Sequence, residues 1–113
     1  MQYDIVQYEE PSPEFELIDR KRQAICERHP VASLSIFGSA VTGGFREHES
    51  DIDLLVKIAD VPTIEYGNAY FSLLKEFEEL FKGPVDLVTE PSLTNPYIKA
   101  NVEATKVLIY GAR

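Results

Sequence analysis

Asp51 and Asp53 open the segment SDIDLLVKI, in which apolar residues fall at every second position. Residues two apart on a strand point to one face, so both carboxylates share a side, with Cα atoms roughly 6 to 7 Å apart at ~3.3 Å per residue. Two bare charges at that range repel by about 2 to 3 kcal/mol at an effective dielectric of ~20. A cation between them removes the repulsion, and hard carboxylate oxygens suit Mg²⁺. Upstream, the apolar run Leu34, Ile36, Phe37 ends in Gly38-Ser39. A Gly-Ser turn leading into a helix presents backbone N–H groups and a hydroxyl to phosphate. A D-x-D pair alone is more often a solvated strand entrance, and a lone Gly-Ser turn more often meets a steric need. Phosphate cradle and paired acids on neighbouring strand ends together point to a nucleotide site. A third acid, Asp86, stands between Val85 and Leu87 in another apolar run. Burying it unpaired is costly, so it either faces water from an edge strand or lies beside a cation. Glu65 and Glu90 have no strand context that selects them.

The elements that must hold these residues follow from periodicity. Ser12-Pro13-Glu14 reads as a helix start, with a modest apolar stripe (Phe15, Ile18, Arg22, Ile25) to about Arg28, closed by His29-Pro30. Residues 31–37 and 51–58 read as strands apolar enough to lie inside a sheet. Ala40-Val41-Thr42 reads as the first turn of a short helix ending at Gly43-Gly44. A long helix over 62–82 carries Tyr66, Tyr70, Leu73, Leu74, Phe77, Leu80 and Phe81 on one stripe, core aromatics rather than a stacking platform. Residues 85–89 read as a third strand, Asn95-Pro96 caps a short helix to about Ala104, and 107–109 read as a last short strand or the end of that helix, with the β-branched residues favouring strand. The expected class is α/β: a small mixed sheet with helices packed on it. Residues 1–11 read as an arm or edge strand.

At 113 residues the chain is expected to be a single domain, with 44% hydrophobic and 27% charged residues as in an ordinary globular protein. No apolar run is long enough for a membrane span, and the start lacks the regions of a signal peptide. Cys26 alone forms no internal disulfide, which points to a cytoplasmic setting. The net charge of −8 repels nucleic acid, and the one basic cluster, Arg20-Lys21-Arg22, reads as a solvated helix face. An acidic protein that handles phosphates needs metal, and its surface suits a basic protein partner. His29 reads as a helix-end residue facing water, His48 as a solvated connector residue, and Lys57 as either a phosphate contact or a strand end.

The block FGSAVTGGFREHESDIDLLV resembles the signature of the minimal nucleotidyltransferases (MNT) of the polymerase-β-like nucleotidyltransferase superfamily. PVDLVTEPSLTNPYIKANV resembles the third-strand and final-helix portion of the stand-alone members, so the resemblance covers most of residues 31–110. Their pattern is an apolar residue, Gly-Ser, a connector and D-x-D. Here the connector, 40–50, has eleven residues, one more than the usual spacing. Many relatives carry an arginine shortly after the serine, where this chain has Thr42.

The resemblance implies a polymerase-β-like fold and transfer of AMP, or another NMP, from ATP to a hydroxyl. Asp51, Asp53 and Asp86 are then the metal ligands and catalytic acids for one or two Mg²⁺, with Asp86 helping to deprotonate the hydroxyl. Gly38, Ser39 and Thr42 are the expected nucleotide-binding positions. No part of the chain is left to hold an acceptor, so a second protein must present it. Stand-alone MNT proteins look like the antitoxin half of HEPN/MNT toxin–antitoxin pairs, in which the HEPN partner is an RNase modified on tyrosine, and a hetero-oligomer follows. Two rival readings are a non-catalytic binding antitoxin that retains the fold, and an unrelated metal phosphoesterase using the same acids.

Overall fold

The computed structural model describes residues 13–38, 41 and 51–111. Helix α1 (Pro13–Arg28) leads into β1 (Val31–Phe37), and β2 (Ile52–Ile58) follows the connector. Helix α2 (Thr63–Phe81) and β3 (Val85–Thr89) come next, then a single 3₁₀ turn (Glu90–Ser92), α3 (Pro96–Thr105) and β4 (Val107–Gly111). The strands form one sheet in the order β3-β2-β1-β4. β1 is antiparallel to both β2 and β4, whereas β2 and β3 are parallel. A parallel pair cannot be closed by a hairpin, and α2 is the crossover between its two strands. This is the mixed α/β sheet expected from the pattern, and the strand over 107–111 extends two residues beyond its expected end.

Alternation on the strands divides the interior into two cores. Leu34 and Ile36 of β1, Ile52, Leu54, Val56 and Ile58 of β2, and Val85 and Leu87 of β3 point to one face. There they meet Ile25 and Cys26 of α1 and Leu73 and Phe77 of α2. The other face is smaller: Phe37 and Leu55 are covered by Val102 of α3, which is fully buried. Tyr66, Tyr70, Leu74, Leu80 and Phe81 pack at the margin of the larger core. The aromatic stripe of α2 is thus packing, as its spacing indicates.

The helix ends follow their local chemistry. Asn95 caps α3, its side chain accepting hydrogen bonds from the N–H groups of Tyr97 and Ile98. At the end of α2, Lys82 takes the left-handed conformation (φ 56°) and its N–H bonds Glu78 O. Arg22 and His29 depart from their sequence reading. Arg22 is buried rather than solvated, although Arg20 and Lys21 beside it are exposed. It sits on the inward stripe of α1, 2.6 Å from Asp19 one turn back, close enough for an ion pair. His29 does not simply face water: its Nε2 contacts the Glu76 carboxylate, which also accepts from Arg28. Burial pushes the Glu76 carboxyl up, but the hydrogen bonds from Arg28 and His29 outweigh it and hold it below its ordinary value. This cluster ties the end of α1 to α2.

Among the described residues no helix is long and apolar enough to cross a membrane. The expected arm at 1–11, the Ser12 cap and the short helix ending at Gly43-Gly44 lie outside the described residues. Phe77 is fully buried and Phe71 is 69% exposed on the same helix. Phe77→Ala should therefore cost about 3–5 kcal/mol in urea unfolding, and Phe71→Ala less than about 0.5.

Candidate active site

Asp53 is the second residue of β2, and the sheet registers place it between Phe37 of β1 and Asp86 of β3. Asp53 and Asp86 are direct partners in the parallel ladder, on strands about 4.8 Å apart. Inward-pointing Ile52, Leu54 and Val56 force Asp53 to the opposite face, as alternation requires, and Val85 and Leu87 do the same for Asp86. Asp51 stands just before β2, exposed. The sequence thus brings together the three carboxylates it singled out, at the end of the sheet where β2 and β3 begin. β3 is an edge strand and Asp86 is exposed, so this acid faces water from the edge and also lies across from Asp53.

The electrostatics concentrate on Asp53. It is only partly exposed, and its carboxyl is raised from 3.8 to about 6 by burial first, then by the charges of Asp86 and Asp51. Asp86 reaches further: burial first and the Asp86 charge second push the Tyr70 phenol up. Tyr70 donates to Leu87 O at 2.6 Å, tying α2 to the strand that carries Asp86.

Gly38 forms the wall on the other side. The chain leaves β1 there in the left-handed region (φ +73°), and a Cβ at this position would lie 2.4 Å from Asp53 Oδ2. Only glycine satisfies both the backbone and the close approach. Val41 N–H bonds Gly38 O at 3.0 Å, closing the turn. Gly38 N–H is already donated to Thr105 Oγ1 at 3.2 Å, which removes one donor expected for phosphate. Thr105, the last residue of α3, touches the glycine turn and went unnoticed in the sequence. Its only signal there was its position just before the 107–109 strand. Ser39, Thr42 and His48 lie outside the described residues. Lys57 is exposed on the carboxylate face, four residues beyond Asp53.

Among the described residues, no three His, Cys, Asp or Glu side chains stand as a ready-made metal site. The donor set nevertheless fits Mg²⁺. It is all hard carboxylate oxygen, and a divalent cation would offset both the burial and, after it, the neighbouring charges that raise Asp53.

The family model described as nucleotidyltransferase domain matches residues 18–109, and the chain belongs to that family. It is a nucleotidyltransferase with the polymerase-β-like α/β fold. It is 30% identical over 94 residues to the Methanocaldococcus jannaschii protein named "Putative protein adenylyltransferase MJ1379", covering 83% of this chain and 92% of that one. A toxin–antitoxin crystal structure with AMP-PNP superposes with a TM-score of 0.63 at 22% identity, covering 84% of this chain and 74% of that one. The structure of a tri-AMPylated Shewanella oneidensis HEPN toxin in complex with MNT antitoxin gives 0.57 at 21%, covering 86% and 72%.

A folded-state value near 6 against an ordinary 3.8 means that ionised Asp53 destabilises the metal-free fold, fully so above about pH 6. The penalty shrinks as pH falls through that window and vanishes below 3.8. Asp53→Asn should therefore melt higher than the native chain in EDTA at pH 7, with the gap closing towards pH 4 in paired thermal melts.

Proposed function

We propose that this nucleotidyltransferase moves AMP from ATP to a hydroxyl of a partner protein, a tyrosine of a HEPN-type RNase, and so acts as its antitoxin. One observation carries the reading: Asp53 and Asp86 are ladder partners, with Gly38 held against Asp53. The names of the relatives support it, since they describe protein adenylylation and an AMPylated toxin bound by an MNT antitoxin. The whole chain then works as one minimal domain in the cytoplasm, with the acceptor supplied by the second subunit of a hetero-oligomer. A net charge of −8 suits contact with a basic, RNA-binding surface.

The chain's own residues bind, orient and move a proton. Gly38, Ser39 and Thr42 are the positions proposed to meet the phosphate end of the nucleotide. Asp51, Asp53 and Asp86 would hold one or two Mg²⁺, which would supply positive charge against the triphosphate. The tyrosine oxygen attacks the α-phosphorus in line: the O–P bond forms as the bond to the β-phosphate oxygen breaks. The phenolic proton passes to the Asp86 carboxylate and pyrophosphate leaves. Positioning supplies much of the rate.

ATP labelled on its α-phosphate, Mg²⁺ and a purified HEPN-type RNase partner test the proposal. Label should appear on the partner, and Asp53→Ala should reduce the transfer at least about a hundredfold while the complex still forms. Transfer by Asp53→Ala at the native rate would refute the site, and hydrolysis of ATP without label on the partner would favour a metal phosphoesterase using the same acids. Thr42 in place of the usual arginine and the committed Gly38 N–H favour a second reading, a binder that masks its partner by contact. Tight complex formation without label transfer from the native chain would establish it.

A further inference from the structure

We infer that Thr105 is a positioning residue for nucleotidyl transfer, acting through Gly38 on Asp53, an inference that rests on the reading above. Its hydroxyl has two bonds of fixed sense. It donates to Asn101 O at 2.9 Å, one turn back in α3, and accepts from Gly38 N–H at 3.2 Å. The first bond consumes the hydroxyl proton and so leaves a lone pair for the glycine. Gly38 in turn lies against Asp53, with room at its Cα only for hydrogen. A displacement of the turn towards β2 would meet the Asp53 carboxylate, and a displacement away would open the wall of the site.

The rest of the fold holds Thr105 in place from both sides. Val102, one turn earlier, is fully buried against Phe37, which precedes Gly38 and pairs with Asp53, and against Leu55, two residues beyond Asp53 on the same face. Immediately after Thr105 the chain enters β4, where Val107 pairs with Ile36 of β1. The C-terminal end of α3 is therefore anchored to the same strand end that delivers Gly38. A side-chain acceptor at this position spans the gap between helix and turn.

Three chains test this: native, Thr105→Val, which keeps the shape and removes the acceptor, and Thr105→Ser, which keeps the acceptor. Two readouts are used: AMP transfer to the partner, and hydrogen exchange of the Gly38 amide in the metal-free chain. Thr105→Val should lower kcat at least about tenfold, with KM for ATP within about threefold and melting close to native, and Thr105→Ser should restore most of the rate. The Gly38 amide should be protected in the native and Ser chains and exchange at least about tenfold faster in the Val chain. Native kcat in Thr105→Val, or Thr105→Ser as slow as Thr105→Val, would overturn the inference. An unprotected Gly38 amide in the native chain would do so even if Thr105→Val failed to fold. Absence of transfer by the native chain would instead count against the proposed function, and the amide exchange would still decide whether Thr105 holds the turn.

Discussion

The repulsion among three carboxylates at one end of the sheet is the constraint that gives the rest of the structure its meaning. Asp53 stands beside Asp86 in the ladder, with Asp51 at the mouth of the same strand, and burial first, then these two charges, push its carboxyl up to about 6. A fold selected for stability alone would not put an acid opposite an acid on a partly buried face, because like charges directly across a ladder are unfavourable. The cost is tolerable where a cation completes the arrangement, and it belongs with the nucleotide chemistry of the family. A substitution that relieves it should stabilise the metal-free fold and disable the site.

Holding that arrangement needs both faces of the sheet. The larger core, built on Leu34, Leu54, Val56, Leu73 and Phe77, fixes the orientation of β2 and β3 and so their register. A slip of one residue between them would turn Asp86 inward and Leu87 outward. Tyr70 reinforces the register by bonding Leu87 O, and the Arg28–His29–Glu76 cluster fastens α1 to α2 behind it. The smaller core does a different task. Val102 seats α3 over Phe37 and Leu55, and that brings Thr105 to the glycine turn.

Much of this was legible in the sequence, and the reasons are specific. The strand 51–58 declared its faces through Ile52, Leu54, Val56 and Ile58 at every second position, so the side on which Asp53 would lie followed without any tertiary information. Asn95-Pro96 and Lys82-Gly83-Pro84 marked helix ends through local backbone chemistry, and the aromatic spacing of α2 marked its buried stripe. The misreadings involve contacts between residues far apart in the chain. His29 looked unpartnered because Glu76 lies 47 residues away. Arg22 looked solvated because its neighbours are charged, although it occupies the inward side of the helix. Thr105 could not be recognised because its partner is 67 residues distant and the bond runs from side chain to backbone, leaving no periodic trace. That Asp86 pairs with Asp53 was an expectation from family resemblance, since neither strand encodes its partner's register.

The most direct measurement of the central claim is the titration of the Asp53 carboxyl carbon by NMR, with and without Mg²⁺. In the metal-free chain the midpoint should lie near 6, and saturating Mg²⁺ should drive it below the ordinary 3.8. A midpoint near 3.8 in the metal-free chain, unmoved by Mg²⁺, would contradict the claim that these acids form one charged cluster built for a cation.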